Sequence, residues 1–114
     1  MNTLEDVRII GYQNFTMVGK WLVDRGQSQL AVTPEFAKKS FEQAEKTVRI
    51  GLRRLNNLKL SRKDKHHLNI MRSAFNTFID ACKAGQEGDE QKAHILATEA
   101  KRIFNQYWEA IPNG

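Results

Sequence analysis

The sequence is poor in residues that cross-link or punctuate a chain. It has one cysteine, Cys82, and two prolines, Pro34 and Pro112, in 114 residues. A single cysteine excludes an intramolecular disulfide framework and a cysteine-built zinc cluster. Two prolines and seven glycines are too few for a collagen-like or low-complexity chain. No apolar run reaches the ~18–20 residues of a membrane-spanning helix. The most apolar stretch, 7–23, is broken by Arg8, Gln13, Asn14 and Lys20. The first residues are acidic (Glu5, Asp6), unlike a secretory leader. The expected setting is therefore the cytoplasm, where an unpaired thiol stays reduced, with no membrane partner. There is also no Ser-His-Asp logic, no glycine-rich phosphate loop, no zinc finger and no RNA-recognition motif. The expectation is a protein that is not an enzyme and carries no cofactor.

What is present is a helical pattern. Apolar residues recur at three-and-four spacing in four segments, which predicts helices over about 4–24, 34–58, 62–84 and 89–111. The first face is Leu4, Val7, Gly11, Phe15, Val18 and Leu22, capped by Thr3 with Asp6 three residues on, and stopped at Gly26. Gly11 falls on that face, where it either lets a neighbouring helix come close or makes the segment fray or bend. The second opens on Thr33-Pro34-Glu35 and presents Ala37, Phe41, Ala44, Val48, Leu52 and Leu55. The third starts at the Ser61–Asp64 capping box, presents Leu68, Met71, Phe75, Phe78 and Cys82, and should end at Lys83-Ala84-Gly85. The fourth follows Gly88, is capped by Asp89, and presents Ala93, Leu96, Ala97, Ala100, Ile103, Phe104, Tyr107 and Ile111 before Pro112. Similar lengths and short turns predict an all-α fold, an antiparallel (up-down-up-down) four-helix bundle spanning 1–114 as one domain. Leu30 and Val32, in the longer first connection, are expected to lie across it.

The net charge of +5 is unevenly distributed. Residues 38–72 hold eleven Lys/Arg against three Asp/Glu, a net of +8, and the rest of the chain carries −3. In the first half of helix two, Glu35, Glu42 and Glu45 each precede a cation (Lys39, Lys46, Arg49) by four residues, the spacing of helix-stabilising pairs. Arg53 and Arg54 have no acid at that spacing. Cations there suit the negative end of helix two, but Arg62, Lys63 and Lys65 sit at the positive end of helix three, where anions are preferred. Arg49, Arg53, Arg54, Lys59, Arg62, Lys63 and Lys65 are thus the candidate anion-binding residues. Their expected partner is nucleic-acid backbone, whose phosphates Lys and Arg bind without regard to sequence, or otherwise an acidic protein surface; the alternative is a solvated corner that only keeps the chain soluble.

Two short resemblances fall in this region. Ser61 to His67 resembles the Lys-Asp-His-His turn of small-subunit ribosomal protein fifteen, also helical and basic. It covers seven residues, and the Arg-Arg-Gly-Leu that follows in that family is replaced by Leu68-Asn69-Ile70-Met71. Arg62-x4-His67 is similar to the Arg-x4–6-His motif of HEPN-type helical ribonucleases, which implies RNA cleavage carried by Arg62 and His67. Lys63 stands where that family often has a polar residue. The adjacent His66 and His67 point about 100° apart on a helix and cannot share one metal, so no metal site is expected.

Six apolar residues lie off the main faces: Ile9, Tyr12, Val23, Phe36, Ile50 and Trp108. Ile9, Tyr12 and Val23 share one side of helix one. That makes them the candidate partner interface of an inhibitor, immunity or adaptor protein, or of a homodimer.

Overall fold

The computed structural model describes the backbone of residues 1–27 and 34–110 and the side chains of 1–18 and 35–107. Leu30, Val32, Ile111 and Pro112, and the side chains of Leu22, Val23 and Trp108, lie outside the described residues. Among the described residues the chain forms four helices and no strand: α1 (Leu4–Gln27), α2 (Pro34–Asn56), α3 (Arg62–Gln86) and α4 (Glu90–Ala110). None is long and apolar enough to cross a membrane. The whole measures 47 × 23 × 19 Å, little more than one helix length on its long axis.

Three of the four starts are set by a side chain, and Thr33, the expected cap of α2, lies outside the described residues. Asp6 accepts from the Thr3 amide (2.8 Å), Ser61 from the Asp64 amide (3.3 Å) and Asp89 from the Lys92 amide (3.0 Å), relieving amides that the first turn leaves without a helical carbonyl. Two of the expected stops differ. α1 continues through Gly26 to Gln27, because glycine costs a helix only ~1 kcal/mol and ends it only where its φ turns positive. α3 likewise continues through Gly85 to Gln86. Its terminator is Gly88, at φ +88°. There the Asp89 amide donates to the Ala84 carbonyl (3.0 Å) and the Gly88 amide to the Gly85 carbonyl (3.1 Å), a complete Schellman turn. Asp89 thus closes α3 and caps α4.

The expected faces form the core. Val7, Val18, Ala44, Val48, Leu55, Met71, Phe75, Cys82, Ala100 and Tyr107 are all buried to within 1%. Phe15 joins three helices, stacking on Phe104 (4.5 Å) and meeting Phe75 (5.5 Å) and Phe78 (5.7 Å) edge-on, in the offset and T-shaped geometries that ring quadrupoles favour. Gly11 does admit a neighbour, since a Cβ there would stand 2.6 Å from the Met71 Cε. Gly51 plays the same part on α2, where a Cβ would stand 2.7 Å from Phe75.

The core also takes in residues beyond the expected faces, among them Ile10, Ala74, Ile79, Ala81 and Ala84, and two further ones tie the elements together. Leu60, in the turn between α2 and α3, is buried although it belongs to no helix. Asn14 is buried in α1 and donates from Nδ2 to the Thr47 carbonyl of α2 at 2.8 Å. A buried amide must find a partner, and only one alignment of α1 against α2 supplies this one. The turn itself is tied to the chain's start: the Asn2 amide donates to the Lys59 carbonyl (2.9 Å) and the Lys59 amide to Asn2 Oδ1 (2.8 Å).

Candidate functional site

The end of α2 and the start of α3 carry the cations, and the packing sorts them onto different flanks. The α2–α3 flank is fixed by Glu45, which accepts from Gln86 Nε2 of α3 at 2.8 Å and from Arg49 Nε at 2.8 Å. Burial works to raise the Glu45 carboxyl, but the hydrogen bonds from Arg49 and Gln86, with the charges of Arg49 and Lys83, hold it below its ordinary value. Of the three expected acid–base pairs of α2, Glu45–Arg49 is the one closed in the structure. Arg53, one turn beyond Arg49, is exposed on the same side. Arg54 turns the other way, towards α1, and donates to Gln13 Oε1 at 3.0 Å.

α3 divides its cations in the same way. Gln86 marks the stripe that faces α2, and Lys65 and Arg72 stand three and two heptads before it. A straight helix drifts ~20° per heptad, so the stripe turns gradually outward from Gln86 to Lys65. Lys63 lies one turn before His67, whose ring meets the Tyr107 ring of α4 edge-on at 6.3 Å. Lys63 therefore belongs to the α4 flank. Arg62 and Lys59 are exposed at the corner itself. Among the described residues no carboxylate comes within ion-pair range of Arg53, Arg54, Lys59, Arg62, Lys63, Lys65 or Arg72.

Arg72 is the functional candidate that periodicity and charge runs did not single out. It is half-buried, its Nη1 donates to Asn69 Oδ1 at 3.2 Å, and its Nε is buried with no hydrogen-bond partner. A guanidinium N–H held out of water without an acceptor costs free energy. The signal was available: Leu68, Asn69, Phe75 and Asn76 occupy the three-and-four spacings around it, and none is acidic.

The residues implied by the ribonuclease resemblance stand apart in their surroundings. Arg62 is exposed, whereas His67 has its Nδ1 buried without a partner beside Tyr107. Five residues of helix separate their side chains by about 140°. Tyr107 is fully buried, its hydroxyl also lacks a partner, and burial raises its pKa well above the ordinary tyrosine value.

At the opposite end, a cavity of about 230 Å³ is lined by Phe41, Phe78, Ala81, Cys82, Ala93 and His94, among others. Burial, with the nearby Glu45 charge, pushes the Cys82 thiol from an ordinary 9.0 to about 12. A neutral buried thiol is a packing group and a poor nucleophile. We expect Cys82 to resist alkylation at pH 8 in the folded protein and to react at once in denaturant, as mass spectrometry would read; rapid native-state labelling would contradict this. Because the folded thiol holds its proton more tightly than the unfolded one, its stabilisation is fully present below pH 9. It is lost as the pH rises from 9 towards 12, at up to about 1.4 kcal/mol per unit.

Of the candidate partner-interface residues, Ile9 (43% exposed) borders a shallow groove with Asp6, Ile10, Arg54, Asn57 and Leu58, and Tyr12 (59% exposed) projects nearby. The side chain of Val23 lies outside the described residues. Compared with protein-family models, with curated proteins and with solved structures, the chain finds no match.

Proposed function

We propose that this protein is a non-enzymatic binding protein of the cytoplasm that engages nucleic-acid backbone through the cations around the α2–α3 turn. The reading is supported most by one observation: exposed Arg53, Lys59, Arg62 and Lys65, together with half-buried Arg72, lie along two adjoining helices and the turn between them, with no carboxylate among the described residues in ion-pair range. A merely solubilising surface intersperses both signs. Here Glu45 is already occupied by Arg49 and Gln86. The frame beneath is, in this reading, an up-down-up-down antiparallel bundle. Asn2 before α1 is bonded to Lys59 just past α2, Phe41 early in α2 lies against Gly85 late in α3, and His67 early in α3 meets Tyr107 late in α4, contacts that support this frame. That arrangement brings the end of α2 and the start of α3 together and concentrates their charge.

The test is a titration of labelled DNA and RNA of arbitrary sequence at about 50 mM salt. Micromolar binding with little sequence preference is expected for contacts made to phosphate. No binding at low salt contradicts the proposal and leaves an acidic protein surface as the partner. A second reading, a homodimer or adaptor, is favoured by the exposure of Ile9 and Tyr12 together with Met17 and Ile50. In that case the protein would sediment as a dimer or with a partner, and Ile9→Asp would release it.

A further inference from the structure

We propose that the α2–α3 flank is a track for double-stranded rather than single-stranded nucleic acid, with Arg49 and Arg53 on one rim and Lys65 and Arg72 on the other. The inference rests on the nucleic-acid reading above and adds to it which form of the polymer the surface takes.

Three features carry it. First, both rims are helical, and Gln86–Glu45 (2.8 Å) ties them together along the flank. Packed helices lie ~8–10 Å axis to axis. A rigid pair of cation rows suits a polyanion whose phosphates are already fixed in space.

Second, among the described residues the flank presents no exposed phenylalanine, tyrosine or tryptophan ring for a base to stack on. Single-strand binders offset the cost of ordering a flexible chain by stacking bases on aromatic side chains, worth ~1–3 kcal/mol each. On α2 and α3 the phenylalanines Phe41, Phe75 and Phe78 are buried, and exposed Phe36 stands at the far end of α2 from the cations. The polar residues between the cations are amides instead: Asn56, Asn69 and Asn76 are all exposed. Amides and cations without aromatics make backbone contacts and no stacking platform.

Third, Arg72 sits inside the track with its Nε buried and unpartnered, and with its Nη1 already braced by Asn69. It is held in one orientation before any ligand arrives. Preorganised donors favour a ligand of fixed geometry, because neither side then has much freedom to lose.

The experiment is fluorescence anisotropy of the full chain with a labelled duplex of about 20 base pairs and with either of its strands alone, over about 25–300 mM salt, chosen because phosphate contacts are read in that range. The expected result is duplex affinity at least about tenfold above that of the single strand, with Arg72→Gln weakening duplex binding several-fold and reducing the salt slope by about one. Circular dichroism of Arg72→Gln checks that the variant is folded, and Lys65→Gln, at an exposed position, gives the same readout without loss of a half-buried side chain. Equal or tighter binding of the single strand overturns the duplex track and leaves the nucleic-acid reading standing. Duplex binding that neither variant weakens overturns the placement on this flank. Binding of neither polymer at the lowest salt overturns both proposals.

Discussion

Gly85→Val is expected to destabilise the fold by about 2–4 kcal/mol, enough to lower the midpoint of thermal unfolding by roughly 10 °C or more. Gly85 lies inside α3, and a Cβ placed on it would run into the ring of Phe41 on α2. The ring can move only towards the cavity it lines, giving up its packing against Ala84 and Ala93. Phe41 is buried and packs with Ala84 and Ala93 in a small cluster at this end of the molecule. Helix propensity works in the opposite direction, since replacing glycine within a helix gains up to ~1 kcal/mol. Overpacking a closed interface costs ~1–3 kcal/mol, and valine adds branching on top of the first methyl, so the steric effect wins. Gly88 is the internal control. It has nothing within 4 Å of its Cβ position, and its φ of +88° alone disfavours a side chain. Gly88→Ala should therefore cost only about 1 kcal/mol. A Gly85→Val protein as stable as the parent in urea unfolding would show that α2 and α3 do not approach in this way.

The second large effect concerns binding. Replacing Arg49, Arg53, Lys65 and Arg72 together by glutamine is expected to lower nucleic-acid affinity by about two to three orders of magnitude at low salt, since each lost phosphate contact removes one released counterion. The fold should survive. Arg49 has the one ion pair in the set, at 2.8 Å and with a half-exposed guanidinium, and such pairs contribute only a few tenths of a kcal/mol. Glu45 keeps Gln86 as a donor. Converting Arg54 and Lys63 instead should have a smaller effect, because Arg54 is turned to Gln13 on α1 and Lys63 belongs to the α4 flank. That difference separates a defined flank from a general attraction to positive charge.

The contrast marks how far the sequence could be read. Helix positions and core faces were legible because burial repeats with the helix period: Val7, Phe41, Val48, Phe75 and Tyr107 all stand where the pattern places them. The Ser61–Asp64 cap was legible because its chemistry is local. The Gly85–Gly88 exchange was not, since either glycine could end the helix, and the choice depends on whether Phe41 occupies the space beside Gly85. Asn14 read as an interruption of an apolar run, and its partner, the Thr47 carbonyl, is thirty-three residues away. The same limit applies to the cations. Periodicity tells which residues avoid the core but not which neighbour each flank meets. Arg54 and Arg53 are adjacent in sequence and face different helices, while Arg72, beyond the densest run of charge, is placed on the α2–α3 flank by the Gln86–Glu45 contact far along the helix.

The central claim is that this flank holds phosphates, and the salt dependence of binding measures it most directly. For the parent chain on duplex DNA, log Kobs plotted against log salt concentration should fall with a slope of about −3 to −4, the value for four phosphate contacts, and the four-glutamine variant should lose nearly all of that slope. A parent slope near zero, or a slope unchanged in the variant, would contradict the account.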